Sequence, residues 1–145
     1  MSNFTIALVG MPGSGKSQAA AFFQNKNIPV IRFGDLTDEK IKEKGLPTTP
    51  ENERTVREQL RKESSMAAYA IAAKPNVEKA LPPNPVIVLD GLYSWEEYTF
   101  LKKSLPNLIL LHIFASPETR YNRLSTREVR PLTPEQANQR DVFET

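Results

Sequence analysis

A single α/β domain with a parallel sheet is what this sequence predicts, and three observations predict it. Short apolar, β-rich runs alternate with segments of helical periodicity along the chain. One of those runs, "VIVLD" (Val86–Asp90), is apolar on both faces, as a strand inside a parallel sheet should be. The length, 145 residues, suits one domain with a core of its own.

The elements follow in order. "FTIALV" (Phe4–Val9) is a short β-rich run that ends at a glycine, the first strand. From Lys16 to Lys26, Ala19, Phe22 and Phe23 recur at helical spacing. "IPVIRF" (Ile28–Phe33) is the second strand, with Pro29 suited to its start and not its centre. In "TTPENERTVREQLRKE", Thr49 is the N-cap and Pro50 the first helical residue. "SSMAAYAIAAK" is apolar nearly all round and reads as a buried helix. "PPNP" (Pro82–Pro85) is a connecting loop before the third strand, Val86–Asp90. "WEEYTFLKKSL" is an amphipathic helix whose acids sit near its positive end, a helix start and not a metal site. "NLILLHIFAS" (Asn107–Ser116) is the fourth strand, and a helix starts at Pro117. A last helix is capped by Thr133 with Pro134 at its start. The chain then stops at "DVFET", within that helix. A domain of this kind is expected to continue to a fifth strand, so the sequence reads as a trimmed piece of a longer protein.

Composition narrows the function classes. With 19 Lys and Arg against 17 Asp and Glu, the formal charge is +2. A general nucleic-acid binder would show a strong basic excess. There is no cysteine, which excludes disulfides and thiolate metal sites. No apolar run approaches the length of a membrane span, and "MSNFTIALVG" lacks a basic leader region. A cytoplasmic protein with a small-molecule partner, acting as monomer or homodimer without nucleic acid or membrane, is the expectation.

The chemistry begins at "GMPGSGKS". Gly10-x-x-x-x-Gly15-Lys16-Ser17 fits the Walker A pattern, directly after a strand and before a helix. Glycine lets backbone N–H groups turn inward around phosphate oxygens, where a Cβ would obstruct. The helix that follows presents its positive end to them. Lys16 reaches the β- and γ-phosphates, and Ser17 ligates Mg²⁺. The donor site therefore covers Gly10, Met11, Pro12, Gly13, Ser14, Gly15, Lys16, Ser17 and Gln18, with ATP and Mg²⁺ as the cofactors. Asp90 ends an apolar strand, and ligands bind at the carboxyl ends of strands in such sheets. It reads as a second Mg²⁺ or water-shell ligand, with a helix cap or turn residue as the plain alternative.

Arginines crowd the later chain: Arg120, Arg123, Arg127, Arg130 and Arg140. The first three share one helix face by spacing. Planar guanidiniums match the charge that spreads over a transferring phosphoryl group, while a solvated helix face is the bland alternative. Arg54, Arg57 and Arg61 form a second stripe. They either meet an acceptor phosphate or pair with Glu58 and its neighbours, and Arg61 ranks first. Asp35, after strand two, either orients an acceptor hydroxyl or caps the next helix. Tyr69 and Trp95 read as packing residues and His112 as a core histidine inside an apolar strand.

Together, "GMPGSGKS", "FGDL", "LDGLYS" and "ASPETRYNRL" resemble the nucleoside monophosphate kinase branch of P-loop kinases. The nearest resemblance is to the dephospho-CoA kinase-like, adenylate kinase-related group, with "RDVFE" fitting the segment after the lid. The resemblance covers nearly the whole chain. It implies one P-loop three-layer domain over residues 1–145, with five strands in the family and four here. An acceptor-binding helical region would span about 35–74, and a short lid about 123–140. It implies ATP with Mg²⁺ as donor, a nucleotide-like acceptor, Asp90 on the Mg²⁺ side and lid arginines at Arg123, Arg127 and Arg140. The candidate acceptor contacts are Asp35, Arg61, Gly91 and Tyr93. This chain departs from the pattern twice. "GDLTDE" has Thr37 and Asp38, and "DGLY" has Tyr93, where relatives often carry an arginine. Both changes fall on the acceptor side. A non-catalytic ATP or ADP sensor on the same fold is the alternative. A GTPase is disfavoured, because "NKN" at Asn25–Asn27 lacks the Asp of the guanine motif and comes too early.

Overall fold

The computed structural model describes residues 3–81, 83–127 and 131–144. Pro82, at the start of the predicted proline loop, and Arg130 lie outside the described residues. The four strands are β1 (Phe4–Val9), β2 (Val30–Arg32), β3 (Val86–Asp90) and β4 (Leu108–His112), all parallel, in the order β2-β3-β1-β4. The helices are α1 (Lys16–Asn25), α2 (Gly34–Glu43), α3 (Pro50–Glu63), α4 (Ala68–Ala80), α5 (Trp95–Ser104), α6 (Pro117–Thr126) and α7 (Pro134–Glu144).

Alternation along the central strands builds three layers. Ala7, Ile87 and Leu89 point to one face, where they meet Ala70, Ala73 and Val77 of α4 and Leu101 of α5. Leu8 and Val88 point to the other, against Ala20 of α1. A third cluster, Leu124, Leu132 and Ala137, joins α6 to α7. The two predicted caps are present, and Ser116 is a third: the side chains of Thr49, Thr133 and Ser116 accept from Asn52, Gln136 and Thr119 backbone N–H groups.

Several expectations are corrected. The segment after strand two forms α2, which the apolar spacing did not disclose. Strand two is three residues long; Pro29 stays outside it, though its carbonyl still accepts from Val88 N at 2.9 Å. In α1, Ala20 is the buried residue and Phe22 is exposed. Helix α4 runs through Pro75 to Ala80 and is buried on one side only, with Ile71 exposed. The ring of Pro75 removes the N–H that would meet the Ile71 carbonyl, and Ile71 lies on the exposed side of the helix. His112 is exposed and not a core histidine. The reason is position: β4 is the sheet edge, and Ile109, Leu110 and Leu111 are exposed with it. Trp95, expected to pack, is 71% exposed. No helix among the described residues is long and apolar enough to cross a membrane.

Candidate functional site

The carboxyl ends of β1 and β3 open into one cleft of about 1460 Å³. The loop after β1 forms its floor. Gly13 has φ 78°, and a Cβ there would stand 2.8 Å from the Arg120 carbonyl and 2.9 Å from Leu124 Cγ. Only glycine allows both the backbone turn and this approach of the loop to α6. Gly10 is equally confined, since a Cβ would meet the Ile113 carbonyl at 2.4 Å. The Lys16 ammonium donates to the carbonyls of Gly10 and Met11, so its positive charge rests on the loop. Ser14 Oγ is buried and has no hydrogen-bond partner among the described residues. An orphaned hydroxyl beside a lysine, at the start of a helix, fits an anionic oxygen of a phosphate.

Helix α6 braces this loop from behind. Arg120 is 4% exposed and binds Asp141 of α7 through two bonds of 2.8 Å, while also donating to Pro12 O at 3.2 Å. Burial pushes the Asp141 carboxyl up, but hydrogen bonds from Arg120 and Tyr121 outweigh it and hold the group below the usual carboxylate range. Arg123 donates to Gly13 O and Ser14 O at 3.3 and 3.1 Å. The helix face anticipated from the spacing is therefore divided: Arg120 is a strut, whereas Arg123 and Arg127 line the cleft.

Asp90 ends β3 opposite Arg32 in register and is 9% exposed. Burial raises its pKa, and the charges of Lys16 and Arg32 pull it back down. Arg32 itself lines the cleft and donates to Asp35 at 2.8 Å and Asp38 at 3.0 Å. Asp35 does not line the cleft; its side chain is 62% exposed and turned to Arg32. Arg32 is a residue the sequence reading missed. It shares with Asp90 the carboxyl end of a strand, the signal that singled out Asp90.

The facing wall comes from α3, α4 and the turn after β3. Arg54, Arg57 and Arg61 all line the cleft, and Arg54 also pairs with Glu58 at 2.9 Å. The Arg61 guanidinium lies 4.1 Å from the Tyr93 ring centre and 5.2 Å from that of Tyr69. Tyr69, read as a packing residue, is buried and also reaches the cleft, where its hydroxyl lies 2.6 Å from Thr37 Oγ1. The two departures from the kinase pattern, Thr37 and Tyr93, thus meet through Tyr69 and Arg61. Behind them Glu97 closes a capping box with Ser94, whose side chain accepts from Glu97 N at 3.1 Å.

Of the predicted site residues, Gly10, Pro12, Gly13, Ser14, Gly15, Lys16, Ser17, Gln18, Arg61, Asp90, Gly91, Tyr93, Arg123, Arg127 and Arg140 border this one space. Met11 stands outside the lining and contributes its carbonyl to Lys16 at 3.2 Å. Among the described residues no group of three or more His, Asp or Glu side chains is disposed to hold a metal by itself.

A family profile described as an AAA domain matches residues 6–142. A UPF0200 protein of Thermococcus sibiricus is 36% identical over 84% of this chain and 65% of its own length. One from Methanocaldococcus jannaschii is 35% identical over 84% of this chain and 61% of its own length. One from Methanoculleus marisnigri is 36% identical over 96% of this chain and 76% of its own. The chain thus spans a little under two thirds of the first two relatives. Among solved structures, a gluconokinase from Sinorhizobium meliloti 1021 superposes with TM-score 0.57 at 18% identity, over 96% of this chain and 73% of that one. A sugar kinase from Janibacter sp. HTCC2649 does so with TM-score 0.59 at 14% identity, over 99% and 78%. At such identities the likeness is one of fold, and the fold is that of a P-loop kinase. With the loop geometry, the profile match and the relatives taken together, this chain belongs to the AAA domain family of P-loop proteins and to the UPF0200 proteins.

Proposed function

We propose that this domain, residues 1–145, is a phosphotransferase that moves the γ-phosphoryl group of ATP to a nucleotide-like small molecule, with dephospho-CoA and nucleoside monophosphates as the first acceptors to test. One observation carries the reading: the phosphate loop, the arginines of α6 and α7, and the Arg61–Tyr93 wall all border a single cleft. At about 1460 Å³ it exceeds the roughly 300–1,000 Å³ of a one-ligand pocket, which suits a donor and an acceptor side by side.

In this reading Gly10 to Gln18 hold the donor phosphates. Mg²⁺ would be held by Ser17 and Asp90 and would neutralise phosphate charge as transfer proceeds. Lys16 shifts from the loop carbonyls to the phosphate oxygens. Arg123, Arg127 and Arg140, on a lid spanning about 123–140, stabilise the charge that spreads over the transferring group. The acceptor lies in the region of about 35–74, against Arg61, Gly91 and Tyr93. Catalysis is then positioning and charge stabilisation.

The test is incubation with Mg-ATP and a panel of acceptors, read by mass spectrometry as the gain of one phosphate. Lys16→Ala is expected to lower transfer by at least about a hundredfold. Full activity in that variant would sink the assignment. A second reading, a nucleotide sensor without transfer, is favoured by Thr37 and Tyr93 standing where kinases often place arginine. Tight ATP binding with no product across the whole panel would select it.

A further inference from the structure

Glu97 is fully buried, at 0% exposure. Its Oε1 accepts from Ser94 N at 3.2 Å and completes the capping box of α5. Its Oε2 is buried with no hydrogen-bond partner among the described residues. Arg61, on the cleft wall, shows the complementary defect: its Nε–H is buried and has no acceptor. The Arg61 charge acts on Glu97, yet among the described residues no ion pair within 4 Å joins them. The guanidinium is held instead between the rings of Tyr69 and Tyr93. The two groups meet at one turn: Arg61 lies over the Tyr93 ring, and Glu97 bonds the backbone of Ser94 next to it. A buried donor and a buried acceptor of opposite charge, each left without a hydrogen-bond partner, are both costly.

We propose that Glu97 is a positioning residue for the acceptor side. Its buried carboxylate competes with an anionic group of the ligand for the Arg61 guanidinium. Its protonation therefore sets how strongly the cleft holds that anion. The inference rests on reading the Arg61 wall as the acceptor side. Among the described residues, the groups that act on the pair include Arg61 from α3, Tyr69 from α4 with Arg57 beside it, and the backbone of Tyr93 and Ser94 in the turn leading into α5, which bonds the Glu97 carboxylate. Burial pushes Glu97 up to about 7, with Arg61 as the largest opposing influence. An anion on Arg61 cancels that influence and adds repulsion. Anion binding and protonation of Glu97 therefore favour each other, and by linkage the effect is reciprocal. The joint is tied to the cleft wall, because Ser94 Oγ donates to Met66 O at 2.8 Å in the turn between α3 and α4.

Nuclear magnetic resonance on the full chain tests this at the Arg61 Nε–H signal, with sulfate as the probe because its charge is constant from pH 6 to 8. Reading at Arg61 separates this site from sulfate held by the phosphate loop. Sulfate affinity at Arg61 should fall roughly tenfold from pH 6 to 8. In Glu97→Gln, which retains the capping box, it should be flat and remain at the acid-side value. The same pH dependence in both proteins would overturn the proposal. Should the variant fail to fold, the carboxyl carbon of Glu97 in the unmodified chain decides: a midpoint near 7 that rises with sulfate supports the proposal, and a midpoint below 5 or one insensitive to sulfate refutes it. Failure of the kinase reading looks different. An intact Arg61 profile with no product from any acceptor removes transfer and leaves the coupling; product with a flat profile does the reverse.

Discussion

The two sides of the cleft differ in how far apart along the chain their parts lie. On the phosphate side, Gly10 to Gln18 form one stretch, and Lys16 bonds carbonyls only five and six residues back. On the opposite wall, Thr37 meets Tyr69 across 32 residues, and Arg61 of α3 stacks on Tyr93 from beyond β3. The first side is made mostly of backbone, whose geometry is fixed by glycines and a helix start. The second is made of side chains, each replaceable without altering the strands beneath. A scaffold built this way can keep its phosphate loop while the facing wall changes. Here that wall carries Thr37 and Tyr93.

The contrast can be broken at the point where the local side depends on a distant contact. Arg120 is that point, since it reaches Pro12 across 108 residues and holds Asp141. Arg120→Ala leaves the largely buried Asp141 carboxylate with Tyr121 but without its guanidinium partner, and should cost about 3 kcal/mol in chemical denaturation. ATP affinity should fall with it. Unchanged stability would mean the strut is dispensable and the loop stands alone.

Next in size is the pH dependence of stability on the wall facing the phosphate loop. Because Glu97 is raised from 4.5 to about 7, the folded chain holds this proton more tightly than the unfolded chain does. Its contribution is greatest below about pH 4.5 and declines by about 3 kcal/mol as pH rises through 7. Asp90, raised by burial, slopes in the same direction. Urea midpoints between pH 5 and 8 should fall more steeply for the unmodified chain than for Glu97→Gln. Parallel curves would show that Glu97 ionises freely.

Gly13→Ala sharpens the donor side. Its Cβ would crowd the Arg120 carbonyl at a φ of 78°, so about 1–2 kcal/mol of stability should be lost. ATP affinity, by calorimetry, should fall, with anion binding at Arg61 unaffected. Loss at both sites would mean the two walls are coupled through the sheet. The smallest effect is expected at Asp35. Its contact with Arg32 is an exposed ion pair, so Asp35→Asn should change thermal stability by less than about 0.5 kcal/mol. A large drop in transfer with unchanged stability would restore Asp35 to the acceptor role expected from "FGDL".

Much of the fold was legible because it follows local rules. Strands Phe4–Val9 and Val86–Asp90 coincide with their apolar runs, and Thr49 and Thr133 cap the helices they precede. Helix α2 escaped because "GDLTDEKIKE" buries only Thr37 and Ile41, too few apolar residues to show a period. His112 was misread because an apolar run does not say which strand is the edge. Arg120 and Arg123 occupy one predicted face, yet burial separates the strut from the cleft residue.

By itself, then, the sequence determined the phosphate loop, the central strands and the helix starts. Each is decided within a few residues by backbone freedom, alternation or a single cap. The tertiary structure alone decided that Arg120 grips Asp141, that Arg61 lies between two tyrosines, and that a buried glutamate stands behind it. Those pairings join residues far apart in the chain, and their strength depends on burial, which no local pattern records.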